Sequence, residues 1–282
     1  MKTIVGDSAG ICTIAQRVIN RALEEAKKGP VFCLGEIVHN RNVTDSLKKN
    51  GVCFINTLEE AKGKTIIGAH GVTKEIYEKA EKMNFDLIDL TCPMILKIHK
   101  KVDEYSKNGF FIIIIGKANH AEILEIKSIV GKECKNIENK SEIPELLKII
   151  NDKKKILLIS QTTYSSKKFD EIAEELKRHI NSDTLLEINK TICPTTEIRQ
   201  KETIKIAKEV DAMIIVGDKK SSNTTELYNT ACKYCKNTQF VCSADELNFS
   251  LIMDNSKIGI MGGASTPKED ILRVKKKLEE KS

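Results

Sequence analysis

The chain has no tryptophan, and its aromatics amount to only 5% of 282 residues. A nucleic-acid footprint wants a basic stripe interleaved with aromatics, so that class of partner is not expected. The net charge of +6, from 46 Lys+Arg against 40 Asp+Glu, reads instead as solvated faces, as in the lysines at 153–155 and 275–277. Such a surface suits an anionic small substrate or an acidic electron-carrier protein. Long apolar runs are missing too: the stretch at 110–115 is far too short to span a bilayer. The opening MKTIVGDSAGICTIAQ lacks the basic and apolar regions of a signal peptide, and a cytoplasmic protein that does not enter membranes is expected. There is no Walker P-loop and no GxGxxG, which disfavours a nucleotide. No Pro/Gly/Ser-rich linker separates one part of the chain from another.

Cysteine, by contrast, is plentiful. Nine in a cytosolic chain are not expected to build a disulfide framework, because that compartment keeps thiols reduced. Three of them open repeats of one pattern. Cys12, Cys92 and Cys193 each precede about sixteen residues of helical period. The first two helices close on Gly29 and Gly109, which suits a helix C-terminus. Cys92 and Cys193 are each followed by Pro, favoured at the first helical position because its missing N–H would be unpaired anyway.

After each helix comes a short apolar run of the kind found in buried parallel strands: VFCLGEI, FFIIIIG and AMIIVG. A polar loop follows, bearing His39-Asn40, Asn119-His120 or Ser221-Ser222-Asn223. His39, His120 and Ser221 lie 27, 28 and 28 residues after their cysteines. A second run then ends in another polar loop, carrying His70, Thr162-Thr163 or Ser265. Alternating strands and helices predict parallel α/β units with their loops at the strand C-terminal edges. The expected architecture is α/β, with three pseudo-threefold-related units in a trefoil around a central cluster cavity. Boundaries are set at 1–93, 94–188 and 189–282, the last unit including a C-terminal helix.

A helix N-terminus favours thiolate over thiol. Three thiolates from three units could hold three irons of a cubane cluster and leave the fourth iron open as a Lewis acid and electron entry point. Core packing and zinc are the rival readings, but zinc lacks a fourth ligand at a ribbon-type spacing. The triple-cysteine loop of radical enzymes is absent. Cys33, Cys53, Cys134 and Cys242 read as core residues, and the Cys232/Cys235 pair as structural positions on a helix. The loops gather His, Ser, Thr and Asn with few acids, a set that describes a polyanion site. His99 and His179 fall within helices and read as structural. Glu122 is the acid among the loop residues, and a partly desolvated carboxyl there could deliver protons.

The motifs GEIVHN, AHGVT, DLTCPMILKIH, NHAEI, SQTT, TICPTT with Arg199-Gln200, SSNTTEL and GGASTP resemble, in order and spacing, those of the hydroxymethylbutenyl diphosphate reductases. That family provides the last enzyme of the non-mevalonate isoprenoid pathway. The resemblance runs from about Cys12 to Pro267. It implies a [4Fe–4S] cluster ligated by Cys12, Cys92 and Cys193 with one open iron. It implies that His39, His70, His120, Ser221, Ser222, Asn223 and Ser265 hold the diphosphate. Thr162 would contact the substrate hydroxyl, Glu122 would donate the proton, and Thr163 and Thr196 would line the site. The implied reaction is reductive dehydration of 4-hydroxy-3-methylbut-2-enyl diphosphate to isopentenyl and dimethylallyl diphosphate, with a ferredoxin or flavodoxin as electron donor. A quinolinate-synthase-like dehydratase and an iron–sulfur redox sensor or carrier remain the alternatives. The chain departs from the family pattern at Ile14 (usually Gly), Ala121 (usually Pro), Ile198 (usually Asn) and Gly262 (usually Ala).

Overall fold

A computed structural model describes residues 2–252 and 256–281. The chain runs β1 (Lys2–Val5), α1 (Thr13–Ala26), β2 (Val31–Leu34), α2 (Arg41–Lys49), β3 (Val52–Ile55), β4 (Thr65–Ile67), α3 (Lys74–Lys82) and β5 (Leu87–Asp89). It continues through α4 (Pro93–Lys107), β6 (Phe111–Ile115), α5 (Ala121–Val130), β7 (Cys134–Ile137), α6 (Ile143–Ile150), β8 (Lys155–Ser160), α7 (Ser166–His179) and β9 (Leu185–Ile188). The last third holds α8 (Pro194–Ala207), β10 (Ala212–Val216), α9 (Ser222–Ala231), β11 (Thr238–Val241), β12 (Lys257–Gly262) and α10 (Lys268–Glu279).

The strands form three four-stranded parallel sheets, ordered β3-β2-β4-β5, β7-β6-β8-β9 and β11-β10-β12-β1. The three orders are one pattern, in which the second, first, third and last strands of a repeat lie side by side. In the third sheet the last place is taken by β1, from the opposite end of the chain, with Lys2 opposite Lys257 and Val5 opposite Ile260. Chain direction across each sheet reverses between the first and third strands. In open α/β sheets, crevices form at the carboxyl ends of such a pair.

The apolar runs become strands because both of their faces are covered. In β6, Ile112 and Ile114 pack with Ile98 and Val102 of α4 and Ile123 and Ile126 of α5. The alternate residues Phe111, Ile113 and Ile115 pack with Leu146 of α6 and Phe169, Ile172 and Leu176 of α7. The period of two divides one strand between two cores. β10 repeats the arrangement, with Ile214 and Val216 against Ile271, Val274 and Leu278 of α10, and Met213 and Ile215 against Ile206 and Leu227. Each fully buried Ile or Leu contributes about 1.5–3 kcal/mol.

The chain packs as two compact units, one of residues 1–30, 36–53 and 194–282, the other of 31–35 and 54–193. The first contains the β11-β10-β12-β1 sheet with α1, α2 and α8–α10. The second contains the sheet built on β6 and the strands β2, β4 and β5, with α3–α7. Among the described residues no helix is long and apolar enough to cross a membrane.

In the second unit α4 and α5 share a buried polar contact. His99 Nε2 lies 3.2 Å from Glu125 Oε2, and Glu125 is only 2% exposed. The two atoms approach at ion-pair distance but out of line for a hydrogen bond. Burial holds the Glu125 carboxyl above the usual range; His99 opposes that shift, while the charges of Glu122 and Asp89 add to it. A raised carboxyl pKa means the folded state binds the proton more tightly than the unfolded one. Its contribution to stability is therefore complete below the ordinary glutamate range and is lost as pH rises through the raised value. Urea unfolding of the metal-free chain should show Glu125→Gln gaining on the natural protein as pH rises from about 4 toward neutrality; a constant difference would contradict the assignment. His99→Leu leaves that carboxylate without its partner and should cost about 3 kcal/mol at neutral pH.

Candidate functional site

Each of the three repeat cysteines stands where a helix begins. Cys12 is the N-cap of α1, its Sγ accepting from the Ala15 amide at 3.3 Å. Cys92 is the N-cap of α4, with Pro93 in the first helical position. Cys193 directly precedes Pro194, where α8 starts. All three are half-buried and outside any disulfide. Each cysteine amide donates to a carbonyl in the loop that follows the third strand of a repeat: Cys12 to Ala264 at 2.9 Å, Cys92 to Ala69 at 3.0 Å and Cys193 to Thr162 at 2.9 Å. The acceptors immediately precede Ser265, His70 and Thr163.

In the first unit, hydrogen bonds join several of the loop residues. The Ala264 amide donates to Asn223 Oδ1 at 2.9 Å, and Asn223 Nδ2 donates to Thr196 Oγ1 at 3.3 Å. Ser265 Oγ donates to the His39 carbonyl at 3.1 Å. The Arg41 amide donates to Asp218 Oδ2 at 3.0 Å, tying the loop after β2 to the loop after β10. Ser221 caps α9, its hydroxyl accepting from the Thr224 amide, and Ser222 is the first residue of that helix. His39 Nδ1 donates to the Glu36 carboxylate at 2.9 Å. This unit therefore holds Cys12, His39, Thr196, Ser221, Ser222, Asn223 and Ser265, and an anion at the N-terminus of α9 would meet the positive end of the helix dipole.

The second unit carries His70, Cys92, His120, Glu122, Thr162, Thr163 and Cys193. Glu122 lies in the first turn of α5 and is 4% exposed. Both of its carboxylate oxygens are engaged by one residue: the Thr162 amide donates to Oε2 and the Thr162 hydroxyl to Oε1, each at 2.7 Å. The carbonyl of that same Thr162 accepts from Cys193. His120 caps α5 through Nδ1, which accepts from the Glu122 amide at 3.3 Å. A neutral ring so bonded carries its proton on Nε2, as a donor. The His70 and His120 rings meet edge to face with centroids 6.3 Å apart. Gly71 follows at φ +85°, and a Cβ there would lie 3.1 Å from both Glu125 Oε2 and Thr91 Cγ2. The His70 loop thus turns back tightly over the α4–α5 contact. Thr163 Oγ1 accepts from Gln161 at 2.6 Å.

Some expectations are corrected. Cys53 is exposed on β3, the edge strand of its sheet, rather than part of the core; Cys134 and Cys242 are half-buried. Cys33 is fully buried, which pushes its thiol up to about 12. The Cys232/Cys235 pair does not lie on a helix: α9 ends at Ala231, Cys232 caps it, and Cys235 is buried in the following turn. His179 is exposed at the end of α7. His99 keeps its structural reading, as the half-buried partner of Glu125.

The sequence departures have local accounts. Ala121 takes the first helical position that Pro would fill, at no cost to α5. A Cβ on Gly262 would lie 2.4 Å from Ile271 Cδ1, so the glycine and that isoleucine form a matched pair. Ile198 is 55% exposed on α8. Two residues that sequence reasoning left unassigned, Arg199 and Glu202, reach from α8 to the loop before Cys12. The Arg-Gln motif was the only signal for the first, and nothing marked the second.

Comparison with known proteins places this architecture. The LytB protein family matches residues 4–279. A relative from Thermoanaerobacter sp. (strain X514), named 4-hydroxy-3-methylbut-2-enyl diphosphate reductase, is 36% identical over 97% of this chain and 96% of its own. A solved structure described as (E)-4-hydroxy-3-methyl-but-2-enyl diphosphate reductase, the terminal enzyme of the non-mevalonate pathway, is similar at 32% identity and a TM-score of 0.69. It covers 99% of this chain and 100% of that one. The E-1-hydroxy-2-methyl-but-2-enyl-4-diphosphate reductase from Plasmodium falciparum is similar at 29% identity and a TM-score of 0.88, over 98% of this chain and 87% of that one. With a family match across nearly its whole length and such relatives over theirs, this chain is a member of the LytB protein family and an enzyme of the oxidoreductase class.

Proposed function

We propose that the protein reduces 4-hydroxy-3-methylbut-2-enyl diphosphate to isopentenyl and dimethylallyl diphosphate, as its named relatives are described to act on that substrate. The observation that carries the chemistry is the locked pair of Glu122 and Thr162. A buried carboxyl is gripped at both oxygens by one threonine, and the backbone carbonyl of that threonine holds Cys193.

The reaction consumes two electrons and two protons, breaks the allylic C–O bond and releases water. One proton must reach the leaving hydroxyl and the other a carbon, and the end of the allylic unit that receives it decides the product. Glu122, when protonated, gives its proton to Thr162 Oγ while the threonine passes its own hydrogen to the substrate hydroxyl, so one hydroxyl rotor serves as the relay. His39, His70, His120, Ser221, Ser222, Asn223 and Ser265 bind the diphosphate, and Thr163 and Thr196 line the pocket. Binding energy from the diphosphate then orients the distant hydroxyl.

Cys12, Cys92 and Cys193 suit a [4Fe–4S] cluster. All are half-buried thiols at helix starts, where thiolate is favoured, and each would serve one of three irons. Among the described residues no group of three His, Cys, Asp or Glu is placed to chelate a single metal ion. When bound, such a cluster supplies electrons singly and a Lewis-acidic iron with an open position. A ferredoxin or flavodoxin would deliver the electrons, and nine free thiols suit the cytoplasm. We also read 1–93, 94–188 and 189–282 as three repeats, the first carrying Cys12 and Cys92 and the third Cys193.

Anaerobic oxidation of a reduced viologen by the reconstituted protein, started with the substrate, tests the reading. Glu122→Gln should bind substrate normally but lose about 10²–10⁴-fold in turnover. Thr162→Val should lose activity comparably, because it removes the relay hydroxyl while keeping the shape. Near-normal turnover in Glu122→Gln would sink the proton-donor assignment. No dye oxidation by a sample holding four irons and four sulfides would sink the substrate.

A further inference from the structure

The three cysteines are reached by loops of unequal length. Two residues separate β5 from Cys92, four separate β9 from Cys193, and six separate β1 from Cys12. The longest of these contains Gly6 and Gly10, the latter at φ +108°. A loop of that length and composition loses the most entropy on being fixed. Its backbone accordingly has more anchors. Gly6 and Gly10 donate to the carbonyls of Ile260 and Gly262 at 3.0 and 3.2 Å, before Cys12 donates to Ala264.

The remaining anchors come from side chains of α8. Glu202 Oε1 accepts from the Asp7 amide at 2.7 Å, and Oε2 accepts from the Ser8 amide at 2.8 Å and from the Ser8 hydroxyl. One turn earlier on α8, the buried Arg199 guanidinium donates through Nη2 to the Gly10 carbonyl at 2.6 Å and through Nη1 to the Thr195 carbonyl at 3.1 Å. A carboxylate answers the donors at the front of the loop, and a guanidinium answers the acceptor at its back. A Cβ on Gly6 would stand 3.1 Å from the Glu202 carboxyl carbon, so the backbone lies directly on that group.

We propose that Glu202 and Arg199 are positioning residues for Cys12, clamping its loop at both ends and thereby setting where the thiol is presented. The role rests on the reading above that Cys12 is a ligand. The carboxylate is required for its acceptor-only character as well as its size. Glutamine is isosteric, but its NH₂ group would face either Asp7 N–H or the two donors of Ser8, setting donor against donor.

Hydrogen–deuterium exchange on the full-length chain reads the clamp directly. In Glu202→Gln the amides of residues 6–12 should exchange faster by about tenfold or more, as expected for lost charge-assisted bonds. Those of residues 90–95, before and after Cys92, should be unchanged. Ser8→Ala, a milder change in the loop itself, should give a smaller rise and add little on top of Glu202→Gln. No rise at 6–12, or an equal rise at 90–95, would overturn the proposal. In reconstituted protein, Glu202→Gln should release iron to a chelator faster and bleach its visible cluster absorption sooner than the natural chain. Equal rates despite a loosened loop would overturn the clamp's bearing on the ligand. If the natural chain takes up no iron while the exchange result holds, the cluster reading fails and the clamp stands.

Discussion

A backbone hydrogen bond used three times organises this protein: each repeat cysteine donates its amide to the loop beyond a third strand. The acceptors are Ala264, Ala69 and Thr162. An amide at a helix start has no partner within its own helix and must find one elsewhere. Meeting that demand at the switch point of a parallel sheet fixes the helix start, the loop and the cysteine together. Those loops also carry Ser265, His70 and Thr162-Thr163, so the same bond sets the thiols beside the groups proposed for substrate.

Much of this was legible because the physics is periodic. Runs such as FIIII and AMIIV could be read as strands, since a strand covered on both faces tolerates no polar alternation. Cys-Pro before a helical period located two helix starts, and matched offsets located the loops. Another periodic signal went unread. Thr57 with Glu60 and Asn139 with Glu142 form capping boxes after the second strand of their repeats, and Ser243 with Glu246 occupies the same place in the third. Each motif is only four residues long and looks like ordinary turn chemistry until three are aligned.

The rest was hidden because it depends on pairs distant in sequence. No local pattern joins His99 to Glu125, Arg199 to Gly10 or Glu202 to Ser8. A histidine inside a helix shows no partner until the facing helix is known. Cys53 illustrates the reverse error: its strand is apolar in outline, yet position 53 points outward. The membership of β1 was equally opaque, since a four-residue strand carries no mark of the partner it will choose.

That membership bears on how the molecule is made. β1 and its loop emerge from the ribosome well before β12, which pairs with β1, and Ala264, which accepts from Cys12. Glu202 follows Ser8 by 194 residues. Contacts of such separation form late, because the loop they close must be paid for before they reward it. During synthesis the backbone partners of Cys92 and Cys193 are already made when those cysteines appear, whereas Cys12 must wait for Ala264. Of the three, Cys12 is made before the others and seated after them, so a nascent chain that stops short of Ala264 presents two fixed thiols and one loose one.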